Sequence, residues 1–304
     1  MHELIKPLTE LRALRDPILL ASFAGRGGSS ATAAVQYLVD HWHATPVAEL
    51  DEQEAFDFTV RRPLVRMEHG QRALTWPSNR VYVASPGNLG RDFVLLPGME
   101  PHLRWQAFCD AITELARTLG CESAVILGSR AGSVPHTRPV PFRLTTTDPE
   151  FIRLFDQQEP TVPNYEGPTG LQTVIMLHLQ SAGLRVAQLS AMTPFYLALD
   201  PNPQAISAIA QAIDGAFGTV TGLEDLAESL GQVDTAAEDA LRESPQLRSA
   251  VESMEQQLDW TRGGQPKPGA EPAASATELP AGSEVVAELE QFLREQRGGG
   301  TAGS

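Results

Sequence analysis

Three short runs without a charged side chain, at residues 17–23, 93–96 and 124–127, place the tightest limit on how this chain can fold. Strands that half face water alternate apolar and polar residues, whereas these are apolar apart from Ser22, so the sheet they form must be covered on both faces. Helix-length stretches separate them. Ala31, Ala34, Val35, Leu38, Val39 and Trp42 form a 3.6-residue stripe, as do Trp105, Phe108, Ile112, Leu115 and Leu119, and later Ile206, Ile209, Ile213 and Phe217. The punctuation agrees: Ser29 or Ser30 suits a helix cap, Pro101 and Asn202-Pro203 suit helix starts, and Gly120 and Gly183 suit helix ends. Residues 171–179 are apolar almost all round, which predicts a helix buried on most sides.

Residues 55–96 read differently. Runs at 56–60, 64–68, 72–76 and 80–84 are strand-like, with His69-Gly70, Pro77-Ser78-Asn79 and Pro86-Gly87-Asn88 as turns. This predicts an antiparallel section ahead of the buried strand at 93–96. Further strands are expected at 142–147 and 185–191, with a short helix at 151–155. The expected fold class is α/β: a mixed, largely parallel sheet covered by helices on both faces, with a C-terminal helical extension.

Organisation follows composition. Residues 1–222 form the α/β core and 223–262 an acidic helical extension. Residues 263–283, rich in Gly, Pro and Ala, form a flexible linker, and 284–304 hold a short amphipathic helix and a tail. The net charge is −15, and residues 224–304 hold 16 acidic against six basic side chains. That balance argues against nucleic acid or an anionic membrane as partner. No apolar run approaches the ~18 residues of a spanning helix. With only two cysteines there is no disulfide framework, and a reducing, cytoplasmic setting is expected.

The chemistry-bearing residues are sparse. Gly25-Arg26-Gly27-Gly28-Ser29-Ser30 sits between a strand and a helix, where backbone N–H groups can cradle an anion and Arg26 can add charge. It is neither a dinucleotide fingerprint nor a P-loop, and a plain tight turn explains it as well. His136 and Arg138 lie in Ser133-Val134-Pro135-His136-Thr137-Arg138-Pro139-Val140-Pro141, a stiff loop after a buried strand, suited equally to a pocket or a subunit interface. Glu100 with Arg104, and Tyr165 with Glu166, stand near predicted element ends. There the carboxylates can serve in acid/base chemistry or simply at a helix start. His41 and His43 project to different sides of a helix, so no metal site is expected. Cys109 and Cys121 read as small buried hydrophobes, and no Gly-x-Ser-x-Gly elbow is present. No catalytic residue and no cofactor is assigned.

In order along the chain, several of these segments resemble the proteasome assembly chaperone 2 family in its actinobacterial form. The resemblance rests on residues 17–25, Asp57-Phe58 with Arg62-Pro63, Trp76-Pro77, Glu100-Pro101-His102-Leu103-Arg104-Trp105, the 134–141 loop, Tyr165-Glu166-Gly167-Pro168-Thr169-Gly170 and Pro194-Phe195-Tyr196. It implies a sandwich like that of nucleoside phosphorylases, a protein partner related to the proteasome, and a homo-oligomer. The glycine turn departs from the Gly-Trp-Asn-Asp-Ala-Gly common among relatives. The resemblance leads to a non-catalytic, oligomeric assembly or binding protein. The rival reading is an enzyme or sensor for a nucleoside- or phosphate-type molecule, with Gly27, Gly28 and Arg138 holding the anion.

Overall fold

The structure is a computed structural model describing residues 1–25, 28–51, 55–87, 89–155, 160 and 165–261. The linker and terminal helix expected over 263–304 lie outside the described residues. In chain order the elements are β1 (Ile5–Pro7), β2 (Ile18–Ala24), α1 (Ser30–His41), β3 (Thr45–Leu50), β4 (Leu64–Glu68), β5 (Gln71–Thr75), β6 (Asn79–Ala84), β7 (Phe93–Met99) and α2 (Trp105–Leu119). They continue with β8 (Ser123–Gly132), β9 (Phe142–Thr145), α3 (Pro149–Leu154), α4 (Leu171–Ser181), β10 (Arg185–Pro194), α5 (Pro203–Phe217), α6 (Ala227–Glu243) and α7 (Pro245–Thr261).

Eight strands form one mixed sheet in the order β1-β3-β6-β7-β2-β8-β10-β9. The three apolar runs lie in β2, β7 and β8, which with β10 form the parallel centre. Antiparallel β6, β3 and β1 extend one flank and β9 closes the other. The double-sided apolar character has the expected cause. Leu19, Ala21, Val94, Leu96, Ala124 and Ile126 pack beneath α2 and α4, while Ile18, Leu20, Phe93, Leu95, Val125 and Leu127 pack beneath α1 and α5. Adjacent residues along each strand thus enter opposite cores.

Helix ends carry much of the local specification. Asn202 caps α5 through Oδ1, accepting from Gln204 N and Ala205 N, with Pro203 in the first turn. Gly120 ends α2 at φ 86°, a left-handed conformation that costs glycine nothing. After α5 the chain is tied to α1: Thr221 Oγ1 accepts from Trp42 Nε1 at 3.1 Å, and Tyr37 Oη donates to the Gly222 carbonyl at 2.6 Å. His41 Nε2 accepts from the Gly222 N–H at 2.9 Å, so this histidine anchors the exit toward the extension.

Several local expectations fail for identifiable reasons. Residues 56–60 form no strand, because the Asp57 carboxylate accepts from both Thr59 N and Thr59 Oγ1 and folds the segment into a turn. Pro101 does not begin α2; its carbonyl accepts from Trp105 Nε1 at 2.6 Å, and the helix starts at Trp105 behind a left-handed Arg104. Ser29 does occupy the N-cap position of α1, but its side chain makes no capping hydrogen bond. Helix α4 buries only part of its surface, and Leu177 is exposed. The short strands β1 and β3 carry no strong apolar signal and were not anticipated.

Cys109 and Cys121 are both buried and unpaired. Burial pushes each thiol up to about 12, with Asp110 adding to the effect at Cys109. Since the thiolate is the reactive form, neither is expected to react with a disulfide reagent at pH 8 in the folded protein. Both react once it is denatured. A thiol titrating under native conditions would contradict this packing.

Candidate functional site

The parallel strands β2 and β7 are neighbours, yet the helices that follow them leave for opposite faces, α1 to one and α2 to the other. Such a divergence opens a crevice at the carboxyl end of an α/β sheet. The loops after β2, β7, β8 and β10 all emerge on this rim because the four strands share a direction. The residues before α4 begin at the same end, since Gln172 in its first turn lies against Gly128 of β8.

The glycine turn after β2 closes on itself, Gly28 N donating to the Gly25 carbonyl at 3.1 Å. Gly28 takes φ 99°. At Gly25 the need is for space: a Cβ there would stand 2.6 Å from Glu100 Oε2 and 3.1 Å from Glu100 Cβ. Glu100, whose N–H donates to the Ala24 carbonyl, therefore lies directly over the turn. Arg26 and Gly27 lie outside the described residues.

The anion expected at this helix N-terminus has a counterpart within the chain. Asp200, on the loop after β10, accepts from Ser29 N at 2.7 Å and from Ser29 Oγ at 2.9 Å. A carboxylate opposite the positive end of a helix dipole is a stable arrangement that needs no ligand. Nearby, Ser129 Oγ accepts from Ala31 N at 3.4 Å, and Ser30 Oγ accepts from Asn202 N at 2.9 Å. Asn202 Nδ2 is buried without a hydrogen-bond partner, but it is a single neutral donor, and a phosphate pocket needs several converging ones.

The remaining candidates are held elsewhere along the rim. Arg104 pairs with Glu3 at 2.6 Å, while His102 and Leu103 donate their N–H groups to the Ala55 carbonyl. His136 Nδ1 and Tyr196 Oη lie 2.7 Å apart, the same hydroxyl accepts from His136 N, and Gln204 Nε2 donates to the His136 carbonyl. Burial lowers the His136 pKa from its ordinary value, against opposing pulls from Asp234 and Glu255. Burial also raises that of Tyr196. Glu255 of α7 accepts from Thr137 Oγ1 and faces Arg138 at 3.6 Å, so the 133–141 loop is clamped by the C-terminal extension. Tyr165 and Glu166 are exposed, with the tyrosine hydroxyl donating to the Pro168 carbonyl.

Thus the structure brings Gly25 to Glu100 and Ser29 to Asp200, and it directs Thr137 and Arg138 toward α7. A cavity of about 440 Å³ lies between that loop and helices α6 and α7, bordered by His136, Thr137, Leu241, Val251 and Glu255. Asp200 and Glu255 were missed in the sequence, and Tyr196 stood out only within Pro194-Phe195-Tyr196, with no site role. Their partners stand 171, 118 and 60 residues away, and no local pattern encodes such pairings. Among the described residues no group of three His, Cys, Asp or Glu side chains is placed to hold a metal ion. Likewise no helix among them is long and apolar enough to cross a membrane.

Comparison with known proteins agrees with this architecture. A PAC2 family protein from Streptomyces avermitilis is 35% identical, with 74% of this chain and 95% of that one covered and a TM-score of 0.67. A proteasome-assembly chaperone homologue from Mycobacterium tuberculosis is 31% identical, with 77% and 99% covered and a TM-score of 0.66. An archaeal proteasome activator from Pyrococcus furiosus shares the fold at 14% identity, with 77% and 97% covered and a TM-score of 0.62. No curated protein matches the sequence. The model of the PAC2 family matches residues 21–241, the span from β2 through the rim loops into α6, and this chain belongs to that family.

Proposed function

We propose that this protein is a non-catalytic, protein-binding member of its family, an oligomeric assembly chaperone in character. Residues 1–222 are the core, the acidic extension modulates contact, and the setting is cytoplasmic. One observation carries the reading: the helix N-terminus best suited to an anion already faces the carboxylate of Asp200. The rim loops are otherwise engaged with their own chain, through Glu100 at Gly25, Tyr196 at His136 and Glu255 at Thr137. The 31% identical relative from M. tuberculosis is described as a proteasome-assembly chaperone homologue, which makes a proteasome-related protein the first partner to test.

The discriminating experiment is a thermal-shift series with phosphate, nucleosides and nucleotides. A ligand at 100 times its dissociation constant stabilises by about 2.7 kcal/mol, which for a chain of this size moves the midpoint by roughly 5–10 °C. The expected result is no shift with any of them, together with recovery of proteasome subunits on the immobilised protein. A saturable phosphate-induced rise would overturn the reading in favour of a small-molecule pocket.

A further inference from the structure

Hairpin β4–β5 stands outside the main sheet as a two-stranded unit of its own. Isolated hairpins are marginal in water unless a third strand, a helix or another surface covers a face. This one leaves Leu64, Val65, Met67, Leu74 and Trp76 each more than half exposed. The register explains the pattern. Val65 pairs with Leu74 and Met67 with Arg72, so three apolar side chains share one face beside an arginine. Exposed β-branched and long apolar residues on an unpaired edge are an aggregation hazard unless they are an interface.

Charge indicates what covers it. Residues 60–76 hold four arginines (Arg61, Arg62, Arg66 and Arg72) against the single carboxylate of Glu68, in a chain of net charge −15. Helices α6 and α7 carry the opposite balance: residues 227–261 hold eight carboxylates against Arg242 and Arg248. Between those helices lies the 440 Å³ cavity, where Leu241 and Val251 provide apolar surface and Glu238 and Glu252 provide negative charge, Glu255 being paired with Arg138. Arg242 and Arg248 border it as well, the former held by Asp239 at 2.8 Å. An apolar strip edged with arginine matches a groove that sets Leu241 and Val251 among glutamates, because arginine can lay its stem on apolar surface while its head meets carboxylate.

We propose that the hairpin is an arm that docks into the α6–α7 groove of a second copy of this chain. The hairpin departs between β3 and β6 at one flank of the sheet, while α6 packs on residues 196–199 after β10 near the other. The arm's own apolar residues are exposed, so it is not seated in its own chain's groove. The contact is heterologous, arm into groove, and closes into a ring or a reciprocal pair if the rotation permits. This deepens the protein-binding reading by assigning the surface through which copies associate.

The test is light-scattering mass measurement of the full chain with charge-reversed variants. The wild type is expected at two or more times 32.8 kDa, with its mass falling as salt is raised. R66E/R72E and E238K/E252K should each run as monomer. Mixed together they should reassociate, since each supplies the surface that complements the other, and only folded variants can do so. Val65→Glu, which leaves the arginines in place, should also dissociate the assembly. A wild type that stays monomeric at high concentration would overturn the proposal, as would variants that retain the wild-type mass or mixtures that fail to reassociate. These outcomes concern the arm alone, because the protein-binding reading falls separately to a phosphate-induced thermal shift.

Discussion

Asn79→Ala is expected to destabilise the fold by about 2–3 kcal/mol and to lower the thermal midpoint by roughly 4–12 °C. Strand β7 pairs with β6 only over Phe93–Leu95, and beyond that point its outer edge has no backbone partner from β6. The side chain of Asn79, fully buried, takes that place. Its Nδ2 donates to the Met99 carbonyl at 3.0 Å, and its Oδ1 accepts from Met99 N at 2.5 Å. The amide thus completes the ladder for one more residue, just where β7 reaches the crevice and delivers Glu100. Alanine removes both bonds and leaves two backbone groups with reduced access to water. Asn79→Asp provides the sharper check. Ionised, it keeps an acceptor for Met99 N but sets a negative oxygen against the Met99 carbonyl, and burial raises its pKa above the unfolded value. Its contribution is therefore largest at low pH and is lost as pH rises through the folded pKa. Denaturant titrations of variant and wild type should show a smaller gap near pH 4 than near pH 7. A constant gap would mean that Asn79 acts by shape alone.

Where a signal is local, the sequence discloses the structure. The apolar runs of β2, β7 and β8 read as fully covered strands because every residue in them except Pro17 and Ser22 enters one of two cores. Asn202-Pro203 reads as a helix start because the cap, the two N–H donors it accepts from and the proline all lie within four residues. Asn79 shows the limit. Beside Pro77 and Ser78 it reads as part of a turn, whereas the structure uses it as the first residue of β6, in a bond to a residue 20 positions on. The candidate site divides in the same way. Its loops were recognisable by composition and order, and the parallel strands deliver them to one rim. The groups that engage those loops, Asp200 and Tyr196 from the loop after β10 and Glu255 from α7, owe these pairings to tertiary packing, which leaves no local trace. Whether the rim is filled or open was therefore out of reach, although it decides between the two functional readings.

Phe93→Ala should have the largest effect of any truncation described here, a loss of about 3–5 kcal/mol. At 2–4 °C per kcal/mol this lowers the midpoint by roughly 6–20 °C. The ring is fully buried, with its centroid 4.9 Å from Trp42 and 5.8 Å from Phe217. Phe217 in turn meets the ring of Phe155 and lies under the guanidinium of Arg91 at 5.7 Å. One side chain from β7 thus joins α1, the end of α5 and the end of α3. Trp42 also holds Thr221 through its indole N–H, so a cavity at position 93 loosens the anchor from which the acidic extension departs. The loss should therefore appear in two measurements. Equilibrium unfolding should report the full destabilisation, and amide exchange should report faster opening of residues 219–226 than of β8, which β2 separates from β7 in the sheet. Phe93→Leu, which keeps most of the volume, should recover more than half of the stability and restore slow exchange in that segment. A Phe93→Ala protein within 1 kcal/mol of wild type would mean that the aromatic cluster is not what joins the helices on this face to the sheet.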